Sequence, residues 1–187
     1  MKKNTMQEFD ETVSICRNLF LKKMHDYGLS WRILRPSSLT DLIYIKAQRI
    51  KSIEEKGCQA VEDDIFSEYV GIINYAVMAQ IQLVYGPCSI GDTTLSQQQV
   101  SDLYDKYVKN AKNLLANKNH DYDEAWRNMR MTSITDVILM KLLRVKQIED
   151  NHEQSLVSEG LDANFYDIFN YAVFALIRLN EIKNETI

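Results

Sequence analysis

The sequence predicts an all-α fold, a six-helix bundle built from two tandem three-helix repeats related by a pseudo-twofold axis. Three observations carry this. The string from Lys23 to Glu54 returns from Lys118 to Glu149, and half the positions of 25–54 are identical to 120–149 without a gap. Apolar residues recur at helical spacing with start and stop signals between them. Only 2 prolines and 6 glycines occur, too few for the turns of a sandwich or barrel.

The elements follow in order. Thr5 and Glu8 have capping-box spacing, and Phe9, Val13, Cys16, Phe20 and Tyr27 then form a helical stripe ending at Gly28. Residues 29–37 form a short link. Ser38 with Asp41 marks the start of a second helix, which Gly57 stops. A third is expected from about Glu62 to Tyr85. Ser96 with Gln99 opens the second repeat, whose first helix carries Val100, Leu103, Tyr107, Ala111 and Leu114. Residues 123–132 repeat the link, Ser133 with Asp136 caps the next helix, and the last runs from about Leu161 to Ile182.

The third helices also correspond. Ile72, Asn74, Tyr75, Ala76, Val77, Ala79, Ile81 and Leu83 return as Ile168, Asn170, Tyr171, Ala172, Val173, Ala175, Ile177 and Leu179. Both are apolar nearly all round and so belong at the centre, where the alanines permit close approach. The expected division is residues 1–86, a linker at 87–95 and residues 96–187, packed as one body. The period, 95 residues from His25 to His120, is too long for a solenoid and reads as a duplicated domain.

A net charge of -4 argues against general nucleic-acid binding, which needs a positive surface. No apolar run reaches membrane-spanning length, and MKKNTMQEFDE lacks the apolar core of a signal peptide. Cys16, Cys58 and Cys88 are odd in number and widely spaced, as expected of a cytoplasmic protein.

Most retained positions of the long string are polar, charged or aromatic, more than a fold alone demands. At about 100° per residue, Lys46, Arg49 and Ile53 share one helical face. Lys141, Arg144 and Ile148 do the same in the second repeat. Cations among apolar residues need an acceptor. One reading is internal salt bridges to Asp41 and Asp136 or to a carboxylate of the other copy. The other is a phosphate site, for which Arg offers a fork and Lys a point charge. Trp31, Arg32 and Arg35, matched by Trp126, Arg127 and Arg130, suit stacking a base and holding phosphates, or plugging the corner of the bundle.

Asn74 and Asn170 are amides on apolar helices and need hydrogen-bond partners, a base edge among the options. His25 and His120 end their helices and are candidates for a general base, His120 in the copy that also holds Asp136 and Asp167 as candidate catalytic carboxylates. His152 has no counterpart and reads as a loop residue. For a divalent metal the candidates are Glu149 and Asp167, with Glu153, Glu159 and Asp162 nearby in sequence.

The string HDYDEAWRNMRMTSITDVILMKLLRVKQIE with FYDIFNYAVFAL resembles the nucleotide modification associated domain 1 family, and KKMHDYGLSWRILRPSSLTDLIYIKAQRIKSIEE with IINYAVMAQI resembles a second, more divergent copy. The resemblance implies a role in nucleotide metabolism or modification. More loosely, the chain is similar to the all-α nucleoside triphosphate pyrophosphohydrolases, the MazG-like and dimeric dUTPase group. That similarity implies magnesium-dependent hydrolysis of a (d)NTP, with Asp167-x-x-Asn170 standing where the group carries part of its acidic pattern. The expected partner is a nucleotide or other phosphorylated small molecule, with Mg2+ as a candidate cofactor, and a homo-oligomer is compatible with the sequence. The alternative is a helical interaction module whose repeated charges are internal ion pairs.

Overall fold

The structure, a computed structural model, describes residues 4–57, 64–91, 94–151 and 160–185, without the side chains of 120–122 and 184–185. Cys58, the expected helix start at Glu62, His152, Glu153 and Glu159 lie outside the described residues, as does the side chain of His120. The elements are α1 (Thr5–Tyr27), α2 (Pro36–Lys56) and α3 (Ile65–Tyr85), then α4 (Gln97–Tyr122), α5 (Met131–Asp150) and α6 (Leu161–Glu185). A short 3-10 turn joins α1 to α2 at Ser30–Ile33 and α4 to α5 at Ala125–Asn128. No strand occurs among the described residues.

The boundaries show which local signals prevailed. Asn4, not Thr5, caps α1, its side chain accepting from Met6 N–H at 2.8 Å. Thr5 is buried instead. The Ser96–Gln99 capping box forms in full. Both α2 and α5 begin two residues before Ser38 and Ser133, at Pro36 and Met131. Pro36 suits that first position because a helix needs no N–H there. Tyr27 and Leu114 are exposed rather than core, while Tyr104 and Leu115 fill the interior.

α3 and α6 pack against each other, α2 and α5 flank them, and α1 and α4 close the remaining side. Ala76, Ala79, Ala172 and Ala175 are all buried in the central pair. The linker is tied to the first repeat, because Cys88 N–H donates to Arg32 C=O at 2.9 Å and Leu95 is buried.

Reciprocal pairs express the twofold relation. Arg17 meets Asp105 at 2.6 Å, and their equivalents Lys112 and Asp10 meet at 2.6 Å. Thr40 donates to Glu149, and Thr135 to Glu54, both at 2.9 Å. Lys51 meets Asp136 at 3.1 Å, and Lys146 meets Asp41 at 2.5 Å. Each Thr-Asp near the start of one second helix thus engages the Lys and Glu nearer the end of the other across the α2–α5 seam.

Candidate functional site: two equivalent aromatic and lysine pockets

Each repeat encloses a cavity between its first helix, its corner turn and its third helix. The first measures about 360 Å³ and is lined by Lys23, Trp31, Lys46, Glu68, Asn74 and Tyr75, among others. The second, about 430 Å³, is lined by Lys118, Trp126, Asp167, Asn170, Tyr171 and Phe174, among others. Both fall in the size range of small-molecule sites. Lys23 and Lys118, Trp31 and Trp126, Asn74 and Asn170, and Tyr75 and Tyr171 are equivalent pairs. The basic and aromatic positions of the two copies therefore form separate pockets rather than converging on one shared cleft.

The lysines of the second helices reach the third helices of their own repeats. Lys46 Nζ lies 3.1 Å from Glu68, which also pairs with Arg49. Lys141 Nζ lies 2.7 Å from Asp167, which Lys118 approaches at 2.6 Å from α4. Internal pairing is thus present, but with Glu68 and Asp167 rather than the expected Asp41 and Asp136. Burial alone would push the Asp167 carboxyl up, yet the hydrogen bonds from Lys118 and Lys141 hold it below its ordinary range. Arg144 is exposed and has partners of its own.

The corner arginines do not line the pockets. Arg32 is buried and donates to the Gln82 side chain, whose amide donates back to Arg32 C=O at 2.9 Å. Arg127 reaches Glu124 at 2.6 Å, Glu181 at 2.6 Å, Thr5 at 2.8 Å and Glu8. These two expected phosphate ligands are committed to internal partners. Arg35 and Arg130 precede α2 and α5 on the surface. Trp126 anchors the corner by stacking on Phe174 at 4.3 Å and 5°, and it also walls a pocket.

The buried amides differ between copies. Asn74 Nδ2 donates to Cys16 C=O at 3.1 Å, and Asn74 Oδ1 accepts from Tyr104 Oη at 2.8 Å. Asn170 Nδ2 donates to Ala111 C=O at 3.2 Å, but its Oδ1 is buried with no protein partner. Phe9 occupies the place equivalent to Tyr104, so the hydroxyl is missing on that side.

The expected acidic group is not assembled. Asp136 pairs with Lys51 at the seam, Glu149 accepts from Thr40, and Asp167 sits beside Lys141. Lys141 and Glu149 are eight positions apart along α5, about 12 Å. Among the described residues, no three His, Cys, Asp or Glu side chains group closely enough to hold a metal ion. With the oxygens of Asp167 facing two ammonium groups, the donor set does not suit Mg2+. His25, the described one of the two equivalent histidines, is exposed and lies 3.1 Å from Asp26.

The sequence reading missed Lys23, Lys118, Tyr75 and Tyr171 as lining residues, although all four are repeated. Glu68 carried no repeat signal, because its equivalent is Asn164 and the second copy's acid stands three positions later, at Asp167.

The family model of nucleotide modification associated domain 1 matches residues 23–83 and 118–179, so it covers both copies. The chain belongs to this family. The matched segments take in both faces of the α2–α5 seam and the lining of both pockets apart from Leu19, Phe20 and Leu115. No curated protein and no solved structure matches the chain, so the looser similarity to the all-α pyrophosphohydrolases gains no support there. Among the described residues no helix is long and apolar enough to cross a membrane.

Proposed function

We propose that this member of the nucleotide modification associated domain 1 family binds a nucleotide in a pocket formed within its repeats. The observation that carries the reading is a subtraction. The repeated Thr, Asp, Lys and Glu of the second helices are used by the α2–α5 seam. Several of the remaining repeated positions, namely Lys23/Lys118, Trp31/Trp126, Asn74/Asn170 and Tyr75/Tyr171, line a cavity in each repeat. The first cavity is lined by the ammonium groups of Lys23 and Lys46 with Glu68 as its carboxylate, an arrangement that suits an anion, while the second is lined by Lys118 beside Asp167, which Lys141 also reaches. Aromatic walls suit a planar base. The ligand fitting both is a free nucleotide or another phosphorylated small molecule, rather than a nucleic-acid polymer.

The cytoplasm is the proposed location, since Cys16 and Cys88 are free thiols. Hydrolysis of a nucleoside triphosphate is the reaction to test first, with any magnesium arriving on the nucleotide. The opposing reading, a helical module without a ligand, is favoured by the pairing of Lys46 and Lys141 with carboxylates.

Thermal unfolding with dNMPs and dNTPs, with and without magnesium, tests the reading. A ligand at a hundred times its dissociation constant stabilises by about 2.7 kcal/mol. A clear rise in Tm with at least one nucleotide is expected. A flat response to all of them at millimolar concentration overturns nucleotide binding and leaves the structural module.

A further inference from the structure

The two pockets differ at one repeated place on the third helices, where the first copy has Gly71 and the second Asp167. In the second copy the Asp167 carboxylate lies between Lys118 and Lys141, at 2.6 and 2.7 Å. It is an anion built into the chain at the point where two ammonium groups converge. In the first copy the same place has no side chain. The Lys46 stem runs across it, so close that a methyl on Gly71 would stand 2.6 Å from Lys46 Cε and 2.8 Å from Cδ. Lys46 reaches past to Glu68, three positions earlier. Lys23, equivalent to Lys118, has no ion-pair partner among the described residues, and it is exposed at the pocket.

A glycine inside a helix is less favourable than alanine, so its place here calls for a reason. One is the passage of Lys46. Another is that no carboxylate stands there, beside the pocket that Lys23 and Lys46 both line.

Resting on the nucleotide reading above, we infer that the two pockets have divided their roles, the first receiving a phosphoryl group between Lys23 and Lys46 beside Gly71, and the second holding Asp167 as an internal substitute for that group. A phosphorylated ligand then binds the chain once, in the first repeat. The second pocket, with its lysines satisfied and with Leu115, Met129 and Phe174 among its walls, accepts no phosphoryl group.

Calorimetry with inorganic pyrophosphate tests this on the full chain, apart from any base. The wild type is expected to bind one equivalent. Gly71→Asp should weaken binding at least about tenfold, since its carboxylate would stand against the phosphoryl charge. Gly71→Asn, similar in shape but uncharged, should weaken it less and so separates charge from crowding. Asp167→Asn should admit a second equivalent, and pyrophosphate should raise its Tm more than that of the wild type. The added ligand-induced shift is readable even where Asp167→Asn is less stable. Retention of full pyrophosphate binding by Gly71→Asp, or a stoichiometry still at one in Asp167→Asn, overturns the division of roles. Should those results appear while nucleotides still raise the wild-type Tm, the general reading stands and only the assignment of the phosphoryl site falls. If wild type binds neither pyrophosphate nor any nucleotide, both fall.

Discussion

Thr40 donates its hydroxyl hydrogen to Glu149 at 2.9 Å, and the equivalent Thr135 does the same to Glu54 at 2.9 Å. The two bonds staple opposite ends of α2 and α5, and both acids are half-buried at the seam. Burial raises both carboxyl pKa values, with the threonine hydrogen bonds pulling the other way. A carboxyl with a folded pKa above its unfolded one binds its proton more tightly in the fold. Its stabilising contribution is therefore complete below the ordinary value of 4.5 and is lost as pH rises through the folded pKa. Near neutrality each ionised glutamate works against the seam. Glu54→Gln and Glu149→Gln keep an acceptor for threonine and remove the charge. Each should raise Tm at pH 7 to 8, by less than about 4 °C, the shift that 1 kcal/mol makes in a chain of this size. The gain should vanish towards pH 4. A lower Tm for Glu149→Gln at pH 8 would show that ionised Glu149 stabilises the seam.

The seam also explains what the sequence could and could not convey. Helix number, the twofold relation and the central α3–α6 pair were legible, because apolar period and duplication report them directly. The pairing of Asp41 and Asp136 was not, since their partners Lys146 and Lys51 lie on another helix, and spacing along one chain says nothing about distance between helices. Arg127 misled for the same reason. Beside a tryptophan it suited a phosphate, but Glu8 and Glu181 reach it from helices far away in sequence. Glu68, and the pairing of Asp167 with Lys141, were opaque because the acid changed place between copies while the basic pair stayed. Comparing the copies exposes what both retain and hides what each solved separately.

Arg127 gathers three carboxylates from α1, the second corner and α6, with only 11% of its side chain exposed. Replacing it by Met leaves Glu8, Glu124 and Glu181 facing one another. Removing one partner of a buried ionic group costs about 3–5 kcal/mol. Urea unfolding of Arg127→Met should show a loss of that order at pH 7. A variant of unchanged stability that no longer binds nucleotide would restore Arg127 to the ligand.

The unequal amides of α3 and α6 invite an exchange. Tyr104 satisfies Asn74, and Phe9 leaves Asn170 Oδ1 without a hydroxyl. The internal symmetry places a hydroxyl on residue 9 beside that oxygen. Phe9→Tyr should stabilise the chain by about 1 kcal/mol, the net value of one hydrogen bond. Tyr104→Phe should destabilise it by about 1–3 kcal/mol, the cost of a buried polar group left alone. Chemical denaturation of both variants checks the pair. A destabilised Phe9→Tyr would mean that Asn170 Oδ1 is already served by buried water, with no room for a hydroxyl.

Asp167 joins one buried and one exposed lysine, and the two bonds should not count equally. The Lys118 side chain is 55% exposed and that of Lys141 9%. Lys118→Met removes an interaction that solvent screens, worth less than about 1 kcal/mol. Asp167→Asn instead leaves the Lys141 ammonium buried without its carboxylate, at a cost of about 3 kcal/mol. Burial opposes the Asp167 charge, but the two lysine bonds prevail and hold its folded pKa below the ordinary 3.8. Its contribution is therefore full above 3.8 and fades as pH falls through the folded value. Wild type should exceed Asp167→Asn in stability by a constant margin from pH 8 down to about 5. The margin should close only in stronger acid, where the wild-type carboxyl also becomes neutral. If Lys118→Met proves the more damaging of the two, the charge balance of the second pocket lies on α4 rather than on α5.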